Sequence, residues 1–449
     1  MINAISSRMR DWLGDSLKLY QKVGVYWMNA RRSCLLADEQ GLGKTVQAIC
    51  TIPSGARALV VCPAIAKQVW RDHIDRLRPD LKPVIAKGLD YVYDFTEPGT
   101  VIIANFRIIP ASLTRLVGRP DMIVGDEVHY LKNLDSDRTM NAYNVCLDHS
   151  RRGGRIVFAT GTPIKNTPDD LWSILTLLGQ AAPTFGDRKN YMDLMGGYRA
   201  ARGVNWDRKR SKDIPQIMRK VMLRREKDDV LKELPPRHYK TITVAVPGPD
   251  RELCDEALKA LSDRGISLEE AIETAASNNK SIEFTMMSSV CKALANAKIK
   301  ALINLVDELD PNSDSPLLVW SRHVDPIEIV GARPGWEVLH GSTSKKKRAS
   351  IQHRFQRGEL KGLALSIKSG GTALTLTRSN HSIFCDEEWS PADNEQAEAR
   401  NHRLGQTKPV TYTRLVADHI LDRRMAEIQF EKRAIVKHVI RDSSIRYES

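Results

Sequence analysis

Between an apolar run, Cys34–Ala37, and a stretch of helical character, Thr45–Ile52, lies the segment Gly41-Leu42-Gly43-Lys44-Thr45. A strand that must enter a helix through two glycines, a lysine and a hydroxyl residue admits few folds. Glycine lets backbone N–H groups approach an anion closely, and the start of a helix adds positive potential. The pattern G-x-x-x-x-G-K-[ST] has glycine at its first position, where this sequence carries Asp38. Taken alone, the segment can also be read as a glycine turn capping a helix.

A second segment narrows the choice. Met122-Ile123-Val124-Gly125-Asp126-Glu127-Val128-His129 places two adjacent acids directly after a short apolar run. One carboxylate ending a strand is common; a pair following a glycine-lysine-threonine loop fits a nucleotide site better. There Lys44 would reach the β- and γ-phosphates, and the Thr45 hydroxyl would ligate Mg²⁺. Asp126 would hold the same ion and Glu127 would polarise the attacking water, because aligning water and charge is most of what phosphoryl transfer needs.

The apolar runs Ala58–Cys62, Val101–Ala104 and Met122–Val124 are continuous rather than alternating, as in strands covered on both faces. Cys34–Ala37 and Ile156–Ala159 read as two more, with helices expected over Thr45–Ile52 and Ala66–Arg78. Strands alternating with helices predict a doubly wound α/β domain. The rhythm breaks at Leu234-Pro235-Pro236, where Tyr239–Val246 follows as an alternating, β-branched segment. It resumes with Leu317–Trp320, Gly362–Ser366 and His381–Cys385. Two α/β lobes are expected, 1–236 and 237–449, with a helical connector at about 250–309.

Charge points to the partner. Lysine and arginine number 68 against 55 acids, a net charge of +13, and such an excess favours a polyanion whose counterions are released on binding. The seven cysteines form no C-x-x-C pair, so buried reduced thiols are expected rather than zinc or disulfides. No apolar stretch reaches the length of a membrane span, and Met1 to Asp11 lacks the apolar core of a secretion signal. A cytoplasmic protein is expected, at the nucleoid or virus-encoded in a host cytoplasm, monomeric, with no membrane partner.

These residues resemble the Swi/Snf-type ATPases of helicase superfamily two over nearly the whole chain. Leu19-Tyr20-Gln21 with Gly24 and Trp27 resembles the entry motif, and Asp38 through Thr45 the family's own form of the phosphate loop. Leu59–Pro63 with Trp70, Asp126–His129 with Leu131-Lys132-Asn133, and Thr160-Gly161-Thr162-Pro163-Ile164-Lys165-Asn166 resemble the motifs that follow. Arg224-Arg225 with Lys227 and Leu234-Pro235-Pro236 resembles the brace at the lobe boundary. Further on, the resemblance takes in Leu317–Arg322, His340-Gly341 with Arg348 and Phe355, Ser369-Gly370-Gly371 through Thr377, and Trp389-Ser390-Pro391. It closes with Gln396-Ala397-Glu398-Ala399-Arg400-Asn401-His402-Arg403-Leu404-Gly405-Gln406, similar to the arginine-finger motif.

The resemblance implies two tandem RecA-like P-loop lobes, each a mostly parallel sheet flanked by helices, with helical insertions. It implies ATP and Mg²⁺ in a cleft between the lobes, held by Gln21, Gly41, Leu42, Gly43, Lys44, Thr45 and Gln396. Lys44, Asp126, Glu127, Arg400 and Arg403 would be catalytic, with His129, Thr160 and Thr162 coupling ATP to nucleic acid. Arg400 and Arg403 lie three apart, so on a helix they would share a face. Lys165, Lys368, Ser369, Gly370 and Trp389 are candidate nucleic-acid contacts, Trp389 being equally suited to filling the core. The basic runs Arg208-Lys209-Arg210 and Lys345-Lys346-Lys347-Arg348 are expected to be solvated charged faces.

Two departures from the family pattern stand out: Ala373 and Thr375 in the backbone-contacting motif, and Ala399 before the finger. Alanine is small enough to keep both turns. The expected activity is a DNA-stimulated ATPase that steps along duplex DNA without reading its sequence. The alternatives are a strand-separating DNA or RNA helicase and a non-motor protein whose affinity ATP switches. With no chromatin-reading domain after the last helix, a bacterial, archaeal or viral role in recombination, repair or replication is expected.

Overall fold

The computed structural model describes residues 17–110, 113–165, 167–200, 203–206, 211–276, 282–310, 315–370 and 374–429. The chain divides between Lys232 and Glu233 into two units.

In the first unit seven strands form one sheet: β1 (Ser33–Leu36), β2 (Ala58–Cys62), β3 (Lys82–Ile85), β4 (Thr100–Asn105), β5 (Met122–Asp126), β6 (Arg155–Ala159) and β7 (Met222–Leu223). Their order across the sheet is β7-β1-β6-β5-β2-β4-β3, and every neighbouring pair is parallel. The continuous apolar runs have the expected cause. Alternate residues of one strand feed two separate cores: Leu59, Val61, Ile102 and Ile123 pack on one face, and Ala58, Val60, Val101 and Val124 on the other. Helices Leu19–Asn29, Lys44–Cys50, Lys67–Leu77 and Asp137–Arg151 connect or flank these strands.

Among the described residues of the second unit six strands form one sheet: β8 (Arg237–Val244), β9 (Leu317–Ser321), β10 (Trp336–Leu339), β11 (Gly362–Ser366), β12 (His381–Phe384) and β13 (Val410–Ala417). Their order is β8-β13-β12-β9-β11-β10, again all parallel. The sheet has two faces here too, with Leu318, Trp320 and Leu363 on one and Leu317, Val319 and Ala364 on the other. The polar stretch after β8 folds into helices Gly248–Ser262, Leu268–Ala276, Ile282–Ala297 and Ile299–Leu309. The first three share a core of their own with Trp389, Ala417, Leu421 and Met425.

Each unit is thus a parallel sheet flanked by helices, the tandem RecA-like architecture expected from the motifs. All seven cysteines are free thiols, six of them buried. Burial pushes the Cys34 and Cys146 thiols up to about 12, which leaves them protonated and inert. Among the described residues no helix is long and apolar enough to cross a membrane.

Candidate nucleotide site and nucleic-acid contacts

In parallel sheets the loops at the carboxyl ends of the strands gather at one edge, where ligands bind. The segment Asp38–Lys44 follows β1, Glu127 follows β5, Thr160–Lys165 follows β6, and Arg224 and Arg225 follow β7. Gly43 enters the helix Lys44–Cys50 at φ 71°, and a Cβ there would come within 2.5 Å of Gln21 Nε2. The positive φ demands glycine, whereas the Gln21 amide, the end of a flexible side chain, could move aside. Gln21 and Tyr20 close over the loop from the first helix, donating to the Leu42 carbonyl at 3.3 and 3.1 Å.

Lys44 is 6% exposed, and its ammonium donates to the loop carbonyls of Asp38 (2.9 Å) and Glu39 (3.3 Å). Burial lowers its pKa, opposed by the carboxylates of Glu127, Asp38 and Asp126. Thr45 Oγ1 donates to Asp126 Oδ2 at 3.3 Å, and Trp70 Nε1 donates to the same oxygen at 2.8 Å. Burial and the neighbouring Glu127 charge raise the Asp126 pKa to about 6. Burial would raise Glu127 too, but bonding to His129, the Lys44 charge and the Gln40 amide outweigh it and hold Glu127 below the usual range. Two carboxyl groups adjacent in sequence thus have their proton affinities driven apart.

Glu127 has φ 53°, the one positive value among the described non-glycine residues. This conformation turns its carboxylate away from the strand and into a polar cluster. Gln40 Nε2 donates to Glu127 Oε1 at 3.2 Å, and His129 Nδ1 lies 3.3 Å from Oε2. His129 Nδ1 also lies 3.0 Å from Thr160 Oγ1 and 3.3 Å from Thr162 Oγ1. Gly161 lies between those threonines, and a Cβ there would meet Gln40 Cδ at 2.5 Å. The expected coupling residues are therefore assembled around Glu127. Gln40, part of the phosphate-loop motif, completes the cluster, and Gly161 makes room for it.

Asp38, anomalous in the general loop pattern, is fully buried and paired with Arg225, whose Nε and Nη2 donate to its two oxygens at 3.0 and 2.5 Å. Gln47 bonds both partners, its Nε2 donating to Asp38 at 3.1 Å and its Oε1 accepting from Arg225 at 2.8 Å. Arg224 donates to the carbonyls of Ala37 and Gly161, each at 2.8 Å. The phosphate loop is thereby tied to the last strand of its sheet.

In the second unit the helix Pro391–Glu398 stops short of the paired arginines. Arg400 and Arg403 lie on turns rather than on a helix, which corrects the shared-helix-face expectation. Ala399 caps the helix, and the Arg400 and His402 amides close turns onto Ala397 and Glu398. The two guanidinium groups still converge, donating to the Leu374 carbonyl at 3.3 and 3.1 Å. Gln396 is buried, and its backbone carbonyl accepts from Arg400 Nε at 2.9 Å.

Of the candidate nucleic-acid contacts, Lys165 is half-buried and its amide donates to Asp170 at 2.9 Å. Lys368 is exposed and lies 3.2 Å from Glu388. Ser369 and Gly370 are in the short helix Ile367–Gly370. Trp389 is 8% exposed inside the helical core, so of its two possible roles it takes the core-filling one. Lys345, Lys346 and Lys347 are solvated, while Arg348 turns inward to His340 and Ser369. Arg208-Lys209-Arg210, Asn166, Gly371 and Ala373 lie outside the described residues.

The model of the SNF2-related domain matches residues 20–298, more than half of the chain, and that of the helicase conserved C-terminal domain matches 297–405. The chain belongs to the SNF2 family. The human DNA annealing helicase and endonuclease ZRANB3 is 26% identical over 94% of this chain and 40% of its own length. A Xenopus tropicalis protein, SWI/SNF-related matrix-associated actin-dependent regulator of chromatin subfamily A-like protein 1, is 26% identical over 93% of this chain and 44% of its own. The SNF2 chain thus spans under half the length of these relatives. A solved structure, the Sulfolobus solfataricus SWI2/SNF2 ATPase core in complex with dsDNA, covers 95% of this chain and 93% of its own, at 20% identity and a TM-score of 0.42.

With both SNF2 and helicase-type domains, the chain is an ATP hydrolase. Its own atoms suit a magnesium nucleotide. The Thr45 hydroxyl and the buried Asp126 carboxylate are hard oxygen donors side by side. No cluster of three or more His, Cys, Asp or Glu able to hold a metal occurs among the described residues. Magnesium does not require one, because it keeps several waters and takes one or two carboxylates plus phosphate oxygens.

Proposed function

We propose that this SNF2 chain is a motor that hydrolyses ATP on engaging duplex DNA and steps along it without reading sequence or separating strands. The observation that carries this reading is the route from Thr45 by hydrogen bond to Asp126, along the chain to its neighbour Glu127, and on through polar contacts to His129, Thr160 and Thr162. It leads from the nucleotide loop to the segment bearing Lys165, so a change at one end has a physical path to the other. The net charge of +13 and the DNA-acting names of the relatives support the choice of partner. Recombination, repair or replication is the setting that fits, in the cytoplasm or at a nucleoid.

When bound, ATP supplies the phosphoryl group and Mg²⁺ offsets the charge on its oxygens. Lys44 would exchange the Asp38 and Glu39 carbonyls for phosphate oxygens, while Thr45 and Asp126 ligate the ion. Glu127, the carboxylate of the pair held ionised, would orient the attacking water. Arg400 and Arg403 would supply positive charge to the transferring group, an effect worth about 10³–10⁵ in rate. Lys165, Lys368, Ser369 and the amide of Gly370 would contact backbone phosphates, which position without specifying sequence.

The decisive experiment compares ATP turnover without nucleic acid and with duplex DNA, single strands or RNA, alongside triplex displacement and duplex unwinding assays. Stimulation by duplex with displacement and no unwinding is expected. Stimulation by RNA alone, or efficient unwinding, would overturn the reading, the latter in favour of a strand-separating helicase.

A further inference from the structure

The strand that opens the second unit, β8, carries Tyr239, whose hydroxyl donates to Glu398 Oε2 at 3.1 Å. The other oxygen of Glu398 accepts from Arg414 on β13. Arg414 is held in turn by Glu387 at 3.0 Å, and its guanidinium lies over the Tyr239 ring at 5.1 Å. Tyr412, stacked on Tyr239 with centroids 5.3 Å apart, donates to the Glu398 carbonyl at 2.9 Å and lies 3.1 Å from Asn401 Oδ1. His402 Nε2 meets the Pro235 carbonyl, two residues before β8, at 2.8 Å.

Glu398, Asn401 and His402 alternate with, or adjoin, Arg400 and Arg403. The segment bearing the two arginines is therefore fastened at three points to β8, its approach and β13; Glu398, Asn401, His402 and Tyr412 are buried, while Tyr239, itself 53% exposed, closes over Glu398. Glu398 is 6% exposed and Tyr412 fully buried. A helix end that merely needed termination would not require a carboxylate held by a tyrosine and an arginine at once.

We propose that Tyr239 is a positioning residue: through Glu398 it holds the Arg400–Arg403 segment in the geometry that hydrolysis needs. The inference rests on the finger reading of those arginines. Displacing a catalytic group by about 1 Å can cost about 10² in rate, so a clamp of this kind acts on turnover rather than on nucleotide affinity.

Tyr239→Phe removes only the hydroxyl and keeps both the stacking and the cation–π contact. With duplex DNA present, kcat should fall about tenfold while KM for ATP stays within about twofold and the melting temperature is unchanged. In an Arg403→Ala background the same substitution should have no further effect on kcat, because the two act as one unit. Glu398→Gln, which leaves Arg414 its Glu387 partner, should reproduce the Tyr239→Phe profile. If Arg403→Ala turns over ATP like the wild type, the finger reading fails and the inference with it. If Arg403→Ala is impaired while Tyr239→Phe keeps full kcat, or adds its own loss to that of Arg403→Ala, the positioning inference alone is overturned.

Discussion

Asp38 and Arg225 are 187 residues apart in sequence and meet through two hydrogen bonds in the interior of the first unit, with relative side-chain exposures of 0 and 1%. Breaking a buried pair leaves an uncompensated charge, at a cost of about 3–5 kcal/mol. Asp38→Ala should therefore lower the free energy of unfolding by about that amount, and Arg225→Met in the same chain should recover much of the loss. Urea denaturation of the single and double variants measures both.

Lys44→Ala should abolish ATP turnover under every condition, and Glu127→Gln should bind ATP but lose hydrolysis by about 10²–10⁴-fold. Nucleotide binding followed by a fluorescent ATP analogue, together with phosphate release, separates the two. Normal hydrolysis in either variant would contradict the assigned roles.

Asp126 has a pKa raised to about 6 by burial and by Glu127, so acidification through that value protonates it. A ligand that needs the carboxylate ionised must then compete with the proton. Magnesium affinity should be independent of pH above about 7 and fall by up to about tenfold per unit below about 6. Without the ion the sign reverses. The native state binds this proton more tightly than the unfolded chain, so the group's contribution to stability declines as pH rises from about 4 to about 6. Titrating Mg²⁺-dependent nucleotide binding between pH 5 and pH 8 checks the first statement, and Asp126→Asn should remove the dependence.

Gly161→Ala introduces a Cβ that displaces the Gln40 side chain, a flexible group, rather than backbone. Unfolding free energy should change by under about 1 kcal/mol. Turnover should fall about tenfold, because Gln40 no longer supports the Glu127 carboxylate. A melting curve and a kcat measurement on the same preparation distinguish this outcome from simple misfolding.

Trp389 belongs to the core formed with the helices after β8. Trp389→Ala should cost about 3–5 kcal/mol in stability, and at temperatures where the variant remains folded the salt dependence of DNA binding should be unchanged. A reduced salt slope would instead mark a phosphate contact.

Continuous apolar segments such as Ala58–Cys62 and Gly362–Ser366 were legible because burial on both faces leaves a signal within five residues. Strand β3 leaves no such signal because Lys82–Ile85 is a sheet edge alternating between exposed and half-buried positions. Strand β13 sits inside its sheet yet carries Tyr412, Thr413 and Arg414, polar groups satisfied only by partners distant in sequence. The nucleotide loop was readable because its residues are contiguous. The Asp38–Arg225 pair and the Tyr239–Glu398 bond were not, since hydrogen bonding across 187 and 159 residues leaves no local pattern.

Every strand of the first unit's large sheet runs the same way, so one rim of that unit collects the reactive loops and the other only joins elements. The consequence is an uneven tolerance of change. Loops on the joining rim, such as Arg151–Gly154 before β6, can lengthen or diverge with little effect on chemistry. A one-residue insertion after β1, β5 or β6 would rotate a functional group out of place. Drift in such a fold can alter what is attached to the nucleotide site far more readily than the site itself.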